Sequence, residues 1–270
     1  MWQAQILYKN DNEKEKILNR CYFFNINGIW EREREIVVYF EKEEELKEFK
    51  KSLDDGDILY RKVRENIKWN SIWKKFHKPL RIKPFFIVPS FSRVKTPKGY
   101  KRVVIKPSFA FGTGSHVTTK LCITYLVKYL KKGWKVLDLG TGTGILAICA
   151  EKLGVSEIYA VDIDELALKE AKNNLKINKC KKKIKVERSI DGLNNYFDLC
   201  VCNIAYDELV KLKPFIERKL VRNGLLILSG LLDNQEKDIL EHYLNGFNLI
   251  DKKLKKDKNF IWLALVLSKR

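Results

Sequence analysis

Val136-Leu137-Asp138-Leu139-Gly140-Thr141-Gly142-Thr143-Gly144 leads through Ile145 to Leu153 and on to Ile158-Tyr159-Ala160-Val161-Asp162. The apolar run ending in Asp-x-Gly-x-Gly-x-Gly reads as a buried strand entering a tight glycine loop, and Ile145–Leu153 reads as the helix leaving it. Glycine is needed where backbone must approach a ligand closely or take positive φ, and the helix start behind it presents unpaired N–H groups. A second strand ends in Asp162, placed to accept hydrogen bonds from the two hydroxyls of an adenosine ribose. Together they predict a nucleotide-binding turn.

The spacing selects among nucleotides. A dinucleotide fingerprint, Gly-x-Gly-x-x-Gly, would put its last glycine at position 145, which is Ile145, and the third glycine comes one residue early. No Gly-Lys-Ser/Thr follows the loop, so the phosphate-cradling P-loop is also excluded. What remains resembles the first motif of the Rossmann-like S-adenosylmethionine methyltransferases, whose loop seats no pyrophosphate.

Downstream of residue 134 strands and helices alternate. Strands are predicted at Lys135–Leu139, Ile158–Val161, Ile184–Glu187, Asp198–Cys202, Leu225–Leu228, Phe247–Lys253 and Phe260–Leu267. Helices are predicted from Ile145, over Glu165–Asn178 and Glu208–Leu220, and over Asn234–Asn245. Five parallel strands with helical crossovers, closed by an antiparallel hairpin through Lys255–Asn259, make an α/β, Rossmann-like, doubly wound sheet of seven strands. Such sheets bind ligands at the carboxyl ends of their strands, where Gly140, Asp162 and Asn203 fall.

Upstream, residues 1–64 read as strand Gln3–Tyr8, helix Glu13–Arg20, strand Tyr22–Ile26, a turn at Asn27-Gly28, and strand Glu35–Phe40. Helix Glu43–Ser52, a turn at Asp54-Asp55-Gly56 and strand Ile58–Val63 complete the reading. This βαββαβ order is a small α+β, ferredoxin-like (split βαβ) module. It carries no reactive constellation, and its expected job is to hold a partner.

Charge divides the chain the same way. Residues 1–60 hold 10 basic and 14 acidic side chains, residues 61–106 hold 15 basic and only Glu65 acidic, and the remainder brings the total to +19. The basic stretch suits anionic surroundings, or it is a compositional habit of a chain in which 41 of 53 basic residues are Lys. Trp69, Trp73 and Phe76 recur at helical spacing, which core packing explains better than base stacking. Pro79, Pro84, Pro89 and Pro97 mark a stiff extended connection. The expected domains are therefore 1–64, a basic linker 65–106, and a catalytic domain 107–270.

The chain of 270 residues is 45% hydrophobic, and its longest apolar run, Phe260–Leu267, has strand length. Its N-terminus lacks a basic segment followed by an apolar core, so neither a membrane span nor export is expected. Cys21, Cys122, Cys149, Cys180, Cys200 and Cys202 form no Cys-x-x-Cys pair, as suits buried thiols in a reducing cytoplasm. Cys200-x-Cys202 lies within a strand and reads as core rather than as a metal site.

Phe109-Ala110-Phe111-Gly112-Thr113-Gly114-Ser115-His116-Val117-Thr118-Thr119, the run Val136–Leu153, Cys202-Asn203-Ile204 and Leu228-Ser229-Gly230-Leu231-Leu232 together closely resemble the PrmA family of ribosomal protein L11 methyltransferases. The similarity extends through Trp73–Ile82 to the N-terminal module. The resemblance implies a class I methyltransferase domain, S-adenosylmethionine as cofactor, and an N-terminal module that grips the ribosomal protein. Thr119, Gly140, Gly142, Asp162 and Asn203 become the implied cofactor contacts, and Phe111-Gly112 the lid. By itself Thr119 reads better as a helix-start residue that satisfies backbone N–H groups, and it is the resemblance that makes it a cofactor contact. His116 is left without a chemical role.

Methyl transfer to an amine requires a neutral nitrogen lone pair aimed at the methyl group and a site that excludes water. A lysine amine, with an unperturbed pKa of about 10.4, must lose its proton, which burial beside a cation promotes. The side-chain carbonyl of Asn203 and the backbone carbonyl of Ile204 are the candidates for orienting the amine, which makes Asn203 the catalytic residue. Two other readings stay open: a nucleic-acid methyltransferase, with the basic segment near ribosomal RNA, and a non-catalytic S-adenosylmethionine-binding protein. Against the first, Asn203-Ile204-Ala205-Tyr206 lacks the Pro-Pro that base-amine methylases usually carry.

Overall fold

The computed structural model describes residues 2–10, 13–14, 17, 20–21, 24, 26, 28–32, 34–40, 42–53, 58–62, 79–106, 116–180, 183–257 and 260–270, with backbone alone at 28–32 and 58–62. Phe111, Gly112, Trp69, Trp73, Phe76 and the turn at 54–56 lie outside them. The chain divides into two compact units, Met1–Trp73 and Lys74–Arg270.

In the first unit, β1 (Trp2–Leu7), β2 (Gly28–Arg32), β3 (Glu35–Phe40) and β4 (Ile58–Lys62) form one sheet in the order β2-β3-β1-β4. Its pairings are all antiparallel. Helix α1 (Glu43–Ser52) has three glutamates in its first turn and Lys50 and Lys51 in its last, the arrangement that complements a helix dipole. Glu13, Lys14, Ile17, Arg20 and Cys21 are helical, and Ile17 and Cys21 join Ala4, Ile6, Ile36, Val38, Phe40, Leu46 and Phe49 in the core.

The second strand needs correction: a strand runs over Gly28–Arg32, and of the expected Tyr22–Ile26 the described residues, Phe24 and Ile26, are not in a strand. Phe24 sits in a bend and packs edge-on against Phe49 at 5.2 Å, so this part of the apolar run fills the core instead of a ladder. Gly28 pairs with Tyr39 inside the strand, and Arg32 pairs with Glu35 at its end. Arg34, at φ 61°, carries the tight turn in a backbone region that glycine or asparagine normally takes.

The second unit opens with a three-stranded sheet, β5 (Leu80–Ile82), β6 (Phe85–Pro89) and β7 (Lys101–Ile105). The extended connection expected here is thus a folded element from residue 80 onward. Phe85, Ile87, Val103 and Ile105 are buried in the large core of this unit, and at roughly 1.5–3 kcal/mol per buried side chain they anchor the segment.

The body follows as α2 (Val117–Tyr129), β8 (Lys135–Leu139), α3 (Ile145–Leu153), β9 (Glu157–Val161), α4 (Glu165–Ile177), β10 (Ile184–Glu187) and β11 (Phe197–Asn203). It continues with α5 (Tyr206–Lys219), β12 (Leu220–Leu232), α6 (Glu236–Tyr243), β13 (Phe247–Asp257) and β14 (Phe260–Lys269). The seven strands take the order β10-β9-β8-β11-β12-β14-β13 and all run the same way except β14, which is antiparallel to both its neighbours, β12 and β13. The fold is the expected Rossmann-like class I methyltransferase sheet. Alternate residues feed two cores: Val136, Ile158, Leu199, Val201 and Ile227 face one layer, and Leu137, Leu139, Val161, Cys200 and Cys202 the other. Strand order reverses between β8 and β11, which opens the ligand crevice at their carboxyl ends.

Candidate active site

The glycine loop hangs from the end of the neighbouring strand. The amides of Gly140 and Thr141 both donate to the carbonyl of Val161, at 2.9 and 3.0 Å. Gly140, Gly142 and Gly144 all take positive φ, at 70°, 54° and 79°. A side chain on Gly144 would stand 3.3 Å from Cβ of Ala171, so that glycine brings α3 close to α4.

Asp138 holds this loop from beneath. Its Oδ2 accepts the Thr141 hydroxyl at 2.7 Å and the Ala147 amide at 3.1 Å, joining the strand end to the first turn of α3. Burial pushes its carboxyl up to about 7, although these two bonds pull the other way. The sequence reading gave Asp138 no role, yet an acid on the last turn of a buried strand before a glycine loop was the available signal.

Asp162, partly exposed at the end of β9, accepts the Gly142 amide at Oδ2 (2.8 Å) and the Asp164 amide at Oδ1 (3.1 Å). Asp164 in turn caps α4 by accepting the Leu166 amide at 2.9 Å. Each Asp162 oxygen retains acceptor capacity for a further donor.

Across the crevice, Asn203 ends β11 and is only 7% exposed, and Thr119 is fully buried in the first turn of α2. The Asn203 amide reaches Thr119 Oγ1 at 3.5 Å, while its Oδ1 is buried without a hydrogen-bond partner among the described residues. The helix cap belongs to His116, whose Nδ1 accepts the Thr118 amide at 3.4 Å and pairs with the Thr118 hydroxyl at 2.7 Å. His116 also packs edge-on against Trp262 at 4.7 Å, a structural setting. Thr119 is therefore not the cap.

Ile204 ties the two halves of the rim together. A Cβ added to Gly140 would lie 2.2 Å from Cγ2 of Ile204, so the first loop glycine makes room for the residue that follows Asn203 as well as for a ligand. Gly140 and Gly142 with Asp162, and Thr119 with Asn203, thus share the carboxyl edge of the sheet.

Two further residues escaped the sequence reading. Asn174, fully buried on α4, donates to the Thr143 carbonyl at 2.9 Å and accepts the Lys106 amide at 2.8 Å. Asn178, four residues on, accepts the Val104 amide at 2.8 Å and donates to the Val104 carbonyl at 2.6 Å. These two asparagines thereby link the glycine loop to β7. Asparagine pairs at helical spacing were the only trace of this in the sequence.

These groups fit an adenosyl sulfonium. There is an acid at a strand end with acceptor capacity to spare, a turn of positive-φ glycines, and a buried amide oxygen that bonds no described residue.

Comparison with known proteins decides the family. The model for ribosomal protein L11 methyltransferase (PrmA) matches residues 4–270. The chain belongs to this family. A ribosomal protein L11 methyltransferase of Caldicellulosiruptor saccharolyticus is 38% identical over 206 residues, covering 76% of this chain and 68% of that one. Its counterpart in Thermotoga petrophila is 35% identical over 271 residues, covering 95% of each chain. Among solved structures, a ribosomal protein L11 methylase from Lactobacillus delbrueckii subsp. bulgaricus aligns with a TM-score of 0.64 at 29% identity, over 70% of this chain and 96% of that one. This PrmA family member is an S-adenosylmethionine-dependent methyltransferase. Among the described residues, no helix is long and apolar enough to cross a membrane.

Proposed function

We propose that this PrmA family member methylates amino groups of ribosomal protein L11 in the cytoplasm, lysine ε-amines first and the N-terminal α-amine as a further acceptor. S-Adenosylmethionine supplies an electrophilic methyl group on a sulfonium. The observation that carries the acceptor chemistry is the buried Oδ1 of Asn203, unpartnered among the described residues. An amide oxygen left without a donor in a protein interior costs free energy, and an incoming amine N–H satisfies it.

Each proposed contact has a chemical reason. Asp162 accepts the ribose hydroxyls while its remaining bonds fix the glycine loop. Gly140 and Gly142 give the backbone its close approach, and Thr119 fixes the Asn203 amide so that its carbonyl faces the acceptor. Asn203 Oδ1 then accepts an amine hydrogen and aims the nitrogen lone pair. Phe111 and Gly112, outside the described residues, keep the lid role that the family resemblance implies. Solvent exclusion lowers the acceptor amine's pKa, so its proton departs without a dedicated strong base.

The N-terminal module, residues 1–64, holds the ribosomal protein; of the expected linker 65–106, residues 80–105 pack as a small sheet with the catalytic domain 107–270. Part of the basic segment has internal work: Arg102 bonds to the carbonyls of Val94 and Ser92, and Lys106 faces Glu170 at 3.5 Å. Among the described residues, exposed Lys83, Arg93, Lys95 and Lys98 are basic side chains of this segment that suit ribosomal RNA near the substrate.

Mass spectrometry after incubating enzyme and cofactor with L11, with whole ribosomes and with free RNA tests the reading. Mass increments of methyl groups on L11 amines are expected. Methylated RNA with unmodified L11 would replace it with the nucleic-acid reading, and no transfer to any of the three would leave only a binding protein.

A further inference from the structure

The Leu228-Ser229-Gly230-Leu231-Leu232 stretch has no part in cofactor binding or in the chemistry above, yet it lies beside the reacting edge. Asn203 pairs with Ser229 in the last rung between β11 and β12. In the pairing of β12 with β14, Leu228 matches Leu265 and Leu231 matches Leu263, so Ser229 and Gly230 stand opposite Ala264 alone. That is a bulge, a device that re-aims backbone near active sites. The Ser229 hydroxyl closes the gap by donating to the Leu263 carbonyl at 3.1 Å.

Gly230 sits at φ 88°, and a Cβ there would stand 2.3 Å from the Ile204 carbonyl oxygen and 3.0 Å from both its carbonyl carbon and its amide nitrogen. All three are backbone atoms, so no rotamer change relieves the contact. The Ile204 peptide itself would have to move, and with it Asn203. We infer that Gly230 is a positioning residue for methyl transfer: the bulge at Ser229-Gly230 forms the seat that sets the Asn203–Ile204 backbone, and thereby the aim of the acceptor amine. The inference rests on the orienting role proposed for Asn203.

A glycine substitution at positive φ also strains the chain, and the molecule supplies its own control. Gly133, at φ 85°, has nothing within 4 Å of the position a Cβ would take. Gly133→Ala therefore carries the backbone strain without the collision. Three readouts are compared for Gly230→Ala, Gly133→Ala and the parent: calorimetric S-adenosylmethionine affinity, thermal midpoint, and single-turnover methylation of L11 at saturating cofactor. Gly230→Ala should keep cofactor affinity to within about threefold while slowing transfer roughly a hundredfold, the scale of a misplacement of about 1 Å. Gly133→Ala should transfer at the parental rate. Should Gly230→Ala not fold, Gly230→Asn retains the Cβ in a residue that tolerates left-handed backbone, and the same loss is expected. A folded Gly230 variant that transfers at the parental rate, or one whose loss Gly133→Ala shares, overturns the inference. A parent enzyme that leaves L11 unmethylated in the same assay overturns instead the reading beneath it.

Discussion

The amide of Gly142 donates to Oδ2 of Asp162 at 2.8 Å, so the acid proposed to take the ribose also braces the loop proposed to take the rest of the cofactor. Asp162→Ala removes both services. Affinity for S-adenosylmethionine should fall by about 1.5–3 kcal/mol for each charge-assisted bond lost, measured by calorimetry. Asp162→Asn, which keeps an acceptor for the Gly142 amide, should recover part of the loss. An Asp162→Ala enzyme with parental affinity would remove the ribose assignment.

Asn203→Ala deletes the oxygen proposed to orient the amine. Loss of a transition-state hydrogen bond of this kind costs on the order of 2.7–4 kcal/mol, or about a hundredfold or more in rate. Single-turnover transfer at saturating cofactor should show that loss, while cofactor affinity declines less. Normal transfer in a mutant that merely binds poorly would reduce Asn203 to a cofactor contact.

Asp138 should leave its mark on the pH dependence of stability. Its folded pKa is raised from 3.8 to about 7, so between these values the native state holds a proton that the unfolded chain has released. That contribution is full below the unfolded pKa and is lost as pH rises through 7. Denaturant midpoints measured from pH 4 to 8 should carry this falling component, and Asp138→Asn should flatten it. An identical profile in the mutant would assign the titration elsewhere.

Division of labour between the units is open to truncation. A protein consisting of Lys74–Arg270, the second compact unit, should bind S-adenosylmethionine with nearly parental affinity and lose methylation of L11. Parental methylation by the truncated enzyme would show that substrate is recognised without the N-terminal module.

The sheet and its crevice were legible because their signals are local. Val136–Leu139 and Ile158–Val161 alternate between two cores, and glycines follow where the backbone takes positive φ. Helix α1 also matched its expected bounds, since charge and apolar spacing agree there. The β2–β3 hairpin was missed because its turn runs through Arg34 with no Asn-Gly or Asp-Gly to announce it. The small sheet of 80–105 was hidden by its prolines, of which Pro84 precedes β6 and Pro89 ends it. Within the site, the residues at strand ends could be named from the sequence. Contacts that join distant segments, Gly140 and Gly230 to Ile204 or Asn174 to Thr143, could not, because periodicity carries no information about which loops meet.

The Asn174–Asn178 face of α4 bears on how the small sheet avoids other chains. A strand at a sheet edge exposes a row of donors and acceptors that invites pairing with a neighbour's backbone, and many proteins blunt it with lysine or proline. Beyond its pairing with β6, β7 has the amide and carbonyl of Val104 occupied by the Asn178 side chain, and the amide of Lys106, just past its end, bonds Asn174. Carboxamides imitate a fourth strand there, and because Asn174 also donates to the Thr143 carbonyl, the residue that covers this edge is one that ties it to the glycine loop.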